Sequence, residues 1–322
     1  HPGHDQSPEG PAVTLRFRHL DSRPLRARGP AGQRGVALVM VLWILLLVTI
    51  STSAYTLMAR MDQLEAHTVL SGTQARLAAE AGMNLALLSL RDPDETARLV
   101  PDGRPYEIAY QGTVVEVRVT DERGKLDVNA SDEQTLARLL TGHGLELQDA
   151  TLLAAAIMDW KDEDEIERAN GAELDAYTAA GLGVGPGNRS FVMTEELLQV
   201  IGMSWDLYQK MEPGLTVYSQ SGQPDPAYAP VEALLALPEM TEEDALNFVS
   251  DRQSEDSLNG VGAVLPSGQV AMARGRGLTY SILAKATLPN GIWDQVEATI
   301  RLGGGQDGLP YRVLRWREGF HH

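Results

Sequence analysis

The sequence predicts an α+β fold: one long N-terminal helix packed on an antiparallel sheet, with a large all-helical insertion between the strands and a single transmembrane segment. Three observations predict it. An uncharged run from Val36 to Ala59 continues without proline to Leu90. Strand-like alternation occurs in two separated places, around residues 106–119 and 278–316. Between them, from Asp127 to Arg252, the apolar spacing is helical and the connections are rich in Gly, Pro and Asn.

The first run holds about 24 residues. At ~1.5 Å per residue it spans ~36 Å, enough for a ~30 Å hydrocarbon core. A secretory signal has an apolar region of about 7–15 residues closed by a small-x-small site, and no such site closes this one. Residues 1–34 carry six arginines against three carboxylates, a net +3, so the rest carries −20 of the total −17. The basic flank predicts a cytoplasmic N-terminus, with the residues after 60 across the membrane.

Beyond residue 60 the helix continues, with Leu64, Leu70, Leu77, Ala81, Leu85 and Leu88 recurring at about three, four or seven residues. This spacing predicts an amphipathic half whose leucine stripe packs on a sheet. Asp92-Pro93 ends it. Tyr106 to Tyr110, the turn Gln111-Gly112, and Val115, Val117 and Val119 read as a hairpin. Two later strands flank Asn290-Gly291, a hairpin dipeptide, and "PYRVLRW" makes a third. Helical segments fill the insertion: "DEQTLARLLTG" with Ser131 or Asp132 as cap, "LQDATLLAAAIMDW", "MTEELLQVIG", "SWDLYQKM", "VEALLAL" and "TEEDALNFVSDR". The glycine-rich "RLGGGQDGLP" lacks the strand-to-helix context of a phosphate loop and reads as a connection.

Charge and composition narrow the function. An acidic body repels phosphate backbones, so nucleic acid is not an expected partner. The insertion echoes helix-hairpin-helix units, but Pro238-Glu239-Met240-Thr241 has no glycine and its surround is acidic, which favours a packing module. With no cysteine there is no disulfide, thiolate metal site or cysteine nucleophile. Eight carboxylates fall within residues 159–175. Asp162, Asp164 and Glu173 sit at positions 1, 3 and 12 of a calcium-loop count, although Ile166 and Glu167 stand where an EF-hand has its third ligand and its glycine. The cluster reads either as a Ca²⁺ site or as a solvated acidic loop.

Arg34-Gly35 before an uncharged run and a long helix resembles a type IV prepilin leader and N-terminal helix. "KLDVNASDEQTLARLL", "MDWKDEDEIERANGAELDAY", "GPGNRSFVMTEELLQVIGMSWDLYQKMEPGLTVYS" and "VLRWRE" then resemble, in order, the minor pseudopilin K family of type II secretion systems (general secretion pathway protein K). The resemblance implies a pilin-like α+β fold with a SAM-like or helix-hairpin-helix-like insertion. It implies a leader at 1–35, a membrane helix at 36–59, pilin-like parts at 60–126 and 261–322, and an insertion at 127–260. It implies cleavage after Gly35 by a prepilin peptidase, with Val36 as the methylated mature N-terminus. The fifth mature residue, where most pilins place Glu, is Met40. A carboxylate in hydrocarbon is costly unless paired, and a tip subunit has no neighbour ahead to pair it; alternatively Met40 is an ordinary lipid-facing residue. The family implies bound Ca²⁺, for which Asp159, Asp162, Asp164, Glu173 and Asp175 are the candidate ligands. It implies minor pseudopilins I and J and the inner-membrane assembly platform as partners, an assembly role rather than an enzymatic one, and location in the inner membrane and at the pseudopilus tip. A single-pass periplasmic receptor or metal-dependent hydrolase with an uncleaved anchor is the alternative.

Overall fold

The computed structural model describes residues 34–254, 262–272, 277–304 and 308–319, without the side chains of 34–35 and 62–66. The basic leader up to residue 33 lies outside the described residues, as does the centre of the glycine-rich connection at 305–307. Helix α1 runs Arg34–Leu90, 57 residues. The chain divides into two compact units, residues 1–64 and 65–322.

In the first unit, Val36–Met61 is long and apolar enough to cross a membrane, and none of it is buried by protein. Its three threonine hydroxyls bond inside the helix: Thr49 and Thr52 donate to the carbonyls of Leu45 and Val48, and Thr56 to that of Thr52 at 2.6 Å. Such back-bonding spares these hydroxyls the need for water.

In the second unit the last turns of α1 lie on a five-stranded antiparallel sheet: β1 Asp102–Tyr110, β2 Thr113–Asp121, β7 Thr279–Thr287, β8 Trp293–Leu302 and β9 Tyr311–Glu318, in spatial order β1-β2-β7-β8-β9. The β1–β2 turn is as the sequence predicts, with Gln111 and Gly112 both at positive φ (47° and 78°). At the β7–β8 turn Gly291 takes positive φ (83°) and Asn290 does not. The Gly291 N–H reaches the Leu288 carbonyl, so the hairpin closes by a longer loop than the dipeptide alone suggests.

The face α1 turns to the sheet corrects the sequence reading. The buried residues are Ala75, Ala78, Ala79, Met83, Ala86, Leu87 and Leu90, and from Ala78 on they share one core with Val115, Val117, Val119, Ile282, Val296 and Ile300. The expected stripe is on the other side: Leu70, Leu77, Leu85 and Leu88 are 58%, 57%, 41% and 63% exposed. At about 3.6 residues per turn, Leu77 and Leu88 point nearly opposite Ala75 and Ala86. Side-chain size decides the choice. A Cβ on Gly82 would stand 2.5 Å from Val115 Cγ1, so at that turn the helix axis lies too close to the sheet for any side chain. Gly82→Val is expected to cost about 1–3 kcal/mol through overpacking; unfolding followed by tryptophan fluorescence checks it.

Between β2 and β7 the chain forms the helical insertion. A two-residue strand β3 (Leu126–Asp127) pairs in parallel with β4 (Leu215–Thr216), and β5 (Ala263–Val264) pairs antiparallel with β6 (Val270–Ala271). The helices are α2 Glu133–Gly142, α3 Leu147–Lys161, α4 Leu174–Ala179, α5 Trp205–Met211, α6 Val231–Leu234 and α7 Glu242–Arg252. Asp132, rather than Ser131, caps α2, accepting the Thr135 N–H at 2.7 Å. The segment Thr194–Gln199 is a 3₁₀ turn where a longer helix was expected. Glu239, in the hairpin before α7, takes the left-handed conformation (φ 62°) that a glycine would hold more cheaply. The insertion has its own apolar core, centred on Leu136, Leu139, Leu140, Ile157, Trp160, Tyr177 and Leu234. It meets the outer face of the sheet through buried Glu122, which takes hydrogen bonds from the Thr216 and Ser281 hydroxyls and an ion pair from Lys125 at 2.8 Å.

Candidate functional site

Two features stand out: the acidic loop after α3 and the exposed face of α1. The loop begins where α3 ends. Its last turn carries Asp159, fully buried, and Asp162 is the C-cap. Asp159 Oδ2 accepts the backbone N–H groups of Ala172 at 2.9 Å and Arg168 at 3.2 Å. Gly171 makes this approach possible, since a Cβ there would lie 1.9 Å from Asp159 Oδ2. The Gly-Ala-Glu run at 171–173 thus folds onto Asp159 and delivers Glu173, itself buried. The Arg168 guanidinium bonds Asp162 Oδ2 at 3.2 and 3.3 Å and lies 3.2 Å from Asp159 Oδ1 without hydrogen-bonding geometry.

The structure brings together Asp159, Asp162 and Glu173 from the predicted set. Asp164 and Asp175 are exposed, Asp164 spending one oxygen on the Ile166 N–H at 2.8 Å. Four buried oxygens in the region have no hydrogen-bond donor: Asp159 Oδ1, Asp162 Oδ1, Glu173 Oε1 and Asn188 Oδ1. Asn188 is new; it sits in "GPGNRSF" at positive φ (45°), and an asparagine between glycine and arginine was its only signal in the sequence. Burial raises the Asp159 pKa against the pull of its two backbone N–H donors, and Asp162 adds to the rise. Glu173 is raised by burial and then by Asp159, Asp162, Asp164 and Glu165. Among the described residues no group of three or more His, Cys, Asp or Glu stands in an arrangement that could already hold a metal ion. The donor chemistry nonetheless fits a hard cation: orphaned carboxylate and amide oxygens, with Arg168 as the positive charge at hand.

On the part of α1 in the first unit, Val36 and Met40 are 62% and 64% exposed; on the part in the second unit, the leucines at 70, 77, 85 and 88 are exposed. Gly35 lies in the first turn of the helix.

These features define a class: an α+β protein with one membrane-length helix that runs on into the fold, and a helical insertion bearing a carboxylate cluster. Residues 113–220, which hold β2 and most of the insertion, match the family described as Type II secretion system (T2SS), protein K. The type II secretion system protein K of Klebsiella pneumoniae is 32% identical over 203 residues, covering 56% of this chain and 61% of that protein. The protein of the same name from Pectobacterium carotovorum subsp. carotovorum is 30% identical over 206 residues, covering 56% and 62%. The chain therefore spans a little over three fifths of the length of these relatives. A crystal structure of the GspK-GspI-GspJ complex from the enterotoxigenic Escherichia coli type 2 secretion system aligns with a TM-score of 0.49 and 18% identity, over 82% of this chain and 99% of that one.

Proposed function

We propose that the chain is a minor pseudopilin of the type II secretion system, an assembly component that helps initiate the pseudopilus and sits at its tip with minor pseudopilins I and J. The observation that carries this is the two-sided α1 in a chain that matches the protein K family over residues 113–220: alanines, Met83, Leu87 and Leu90 face the sheet, and the leucines at 70, 77, 85 and 88 face out. An exposed apolar stripe of this kind calls for a partner helix. Leu77→Glu is expected to leave stability within about 0.5 kcal/mol, because the site is exposed. The same variant should lose co-purification with co-expressed pseudopilins I and J.

On this reading the prepilin peptidase cuts after Gly35, Val36 becomes the methylated N-terminus, and Met40 marks a subunit with no neighbour ahead of it in the fibre. Before assembly the helix spans the inner membrane, with the body in the periplasm and the assembly platform beside it. Calcium would be held by Asp159, Asp162, Glu173 and Asn188, where it would neutralise the cluster and brace the loop. Gly35→Ala is expected to block leader removal. Mass spectrometry of the mature N-terminus checks it: normal processing of that variant, or an intact leader on the native chain, removes the pseudopilin reading in favour of a plain anchor.

A further inference from the structure

The outer face of the sheet carries three arginines in a row on its edge strand. Arg317 lies opposite Glu297, Arg315 opposite Thr299, and Arg312 opposite Arg301. The first two are neutralised. Arg317 pairs with Glu297 and with Glu212 at 3.0 Å, and Arg315 with Glu195 and with Glu212 at 3.3 Å. The third rung has two guanidiniums and no acid. Both are exposed, and among the described residues neither side chain takes part in an ion pair or hydrogen bond. Like charges directly opposite on neighbouring strands repel, so this rung works against the sheet. It does so in a body carrying about −20 after residue 34, where an acid could easily have stood.

Beside Arg301 opens a cleft of about 250 Å³, also lined by Arg123, Tyr218, Ser219, Gln220 and Thr279. Its own carboxylates are already engaged. Asp121 is held bidentately by Arg123 at 3.0 and 2.8 Å, and Glu122 by Lys125 and two hydroxyls. Gln220 is kept at positive φ (59°) by its N–H bond to buried Asp127 at 2.8 Å. A non-glycine residue held in this region is a local cost that marks a cleft wall worth testing for function.

We infer that the Arg301–Arg312 rung and the adjoining cleft receive an acidic segment of a partner protein, one carboxylate entering the cleft beside Arg301 and a second meeting Arg312. Guanidinium forks bind carboxylates bidentately, and adjacent strands set the two forks about 4.5–5.5 Å apart at the backbone. The cleft is smaller than the roughly 300–1,000 Å³ typical of small-molecule sites, which suits a single side chain. The negative body disfavours a long polyanion, whose remaining phosphates it would repel.

The test uses the full chain in non-ionic detergent and a fluorescein-labelled octapeptide of alternating glutamate and glycine, read by anisotropy at low and high salt. Binding should saturate, weaken with salt, and fall at least tenfold when glutamine replaces glutamate in the peptide. The variant R301Q/R312Q should lose binding by at least tenfold while its melting temperature stays level or rises, because the repulsion is gone. Absence of binding to the native chain, unchanged binding by the variant, a variant that melts several degrees lower, or equal binding of a labelled single-stranded oligonucleotide would each overturn the proposal.

Discussion

Asp102→Ala is expected to lower the unfolding free energy by about 3–5 kcal/mol, the range for removing one partner of a buried ion pair. Asp102 is buried at the start of β1, and both its oxygens are taken by Arg104, at 3.0 Å from Nε and 2.8 Å from Nη2. Arg252, at the end of α7, reaches the same residue. Its Nε lies 3.7 Å from Asp102 Oδ2, and Nη2 donates to the Asp102 carbonyl at 3.1 Å. Its other contacts are the carbonyls of Pro226 and Ala229 at 2.6 and 2.8 Å. Burial pushes the Arg252 pKa down to about 10, with Asp102 opposing the fall. Without that carboxylate two buried guanidiniums face each other, and the strand that opens the sheet is held to the last helix of the insertion only by neutral acceptors, the Asp102 and Arg252 carbonyls. Urea unfolding checks it. A loss below about 1 kcal/mol, the range of exposed pairs, would mean that the triad is solvated and does not join the two parts.

How much of this was legible in the sequence depends on which kind of signal each feature used. The first hairpin, α2, α3, α7 and the split sheet follow from local chemistry: Gln111-Gly112, the cap at Ser131 or Asp132, the helical apolar spacing of 127–252, and the alternation of Val115, Val117 and Val119. The packing face of α1 was misread because both of its faces are apolar. Periodicity finds a stripe of leucines, but only the distance to Val115 shows that the sheet accepts alanine and glycine there. The candidate site was half legible. Charge density pointed to residues 159–175, yet it could not separate Asp159 and Glu173, turned inward by Gly171 and Ala172, from Asp164 and Asp175, left in solvent. Arg168 joins the site as the loop folds back onto Asp159, and Asn188 follows Gly187, which lies against the Trp160 indole, an approach that no spacing rule within the loop could show.

Calcium is expected to stabilise the chain at neutral pH and to lose that effect as the pH falls, and Asp159→Asn is expected to reverse the order of stability with and without metal. Asp159 and Glu173 both have folded pKa values raised by burial and by neighbouring carboxylates. For a carboxylate whose folded pKa is raised, the stabilising contribution is complete below the unfolded value and is lost as pH rises through the folded value. The metal-free cluster therefore strains the loop at pH 7 and relaxes on acidification, in a window just above the ordinary carboxylate range. Half-buried His143, whose pKa is lowered by desolvation, pulls the other way as the pH falls below its ordinary value of 6.5. The informative quantity is thus the difference between the native chain and the variant. Asparagine at 159 keeps an oxygen for the Ala172 and Arg168 N–H groups and removes the charge. In chelator at pH 7 the variant should melt higher than the native chain, and the gap should narrow on acidification as the native carboxylates take up protons. In calcium at about one hundred times its Kd the native chain should gain about 2.7 kcal/mol. The variant should gain much less, because a ligand charge is missing. Melts in chelator and in calcium at pH 7, 6 and 5 decide it. Equal calcium shifts in both proteins would mean that Asp159 serves only to fold the loop through Ala172.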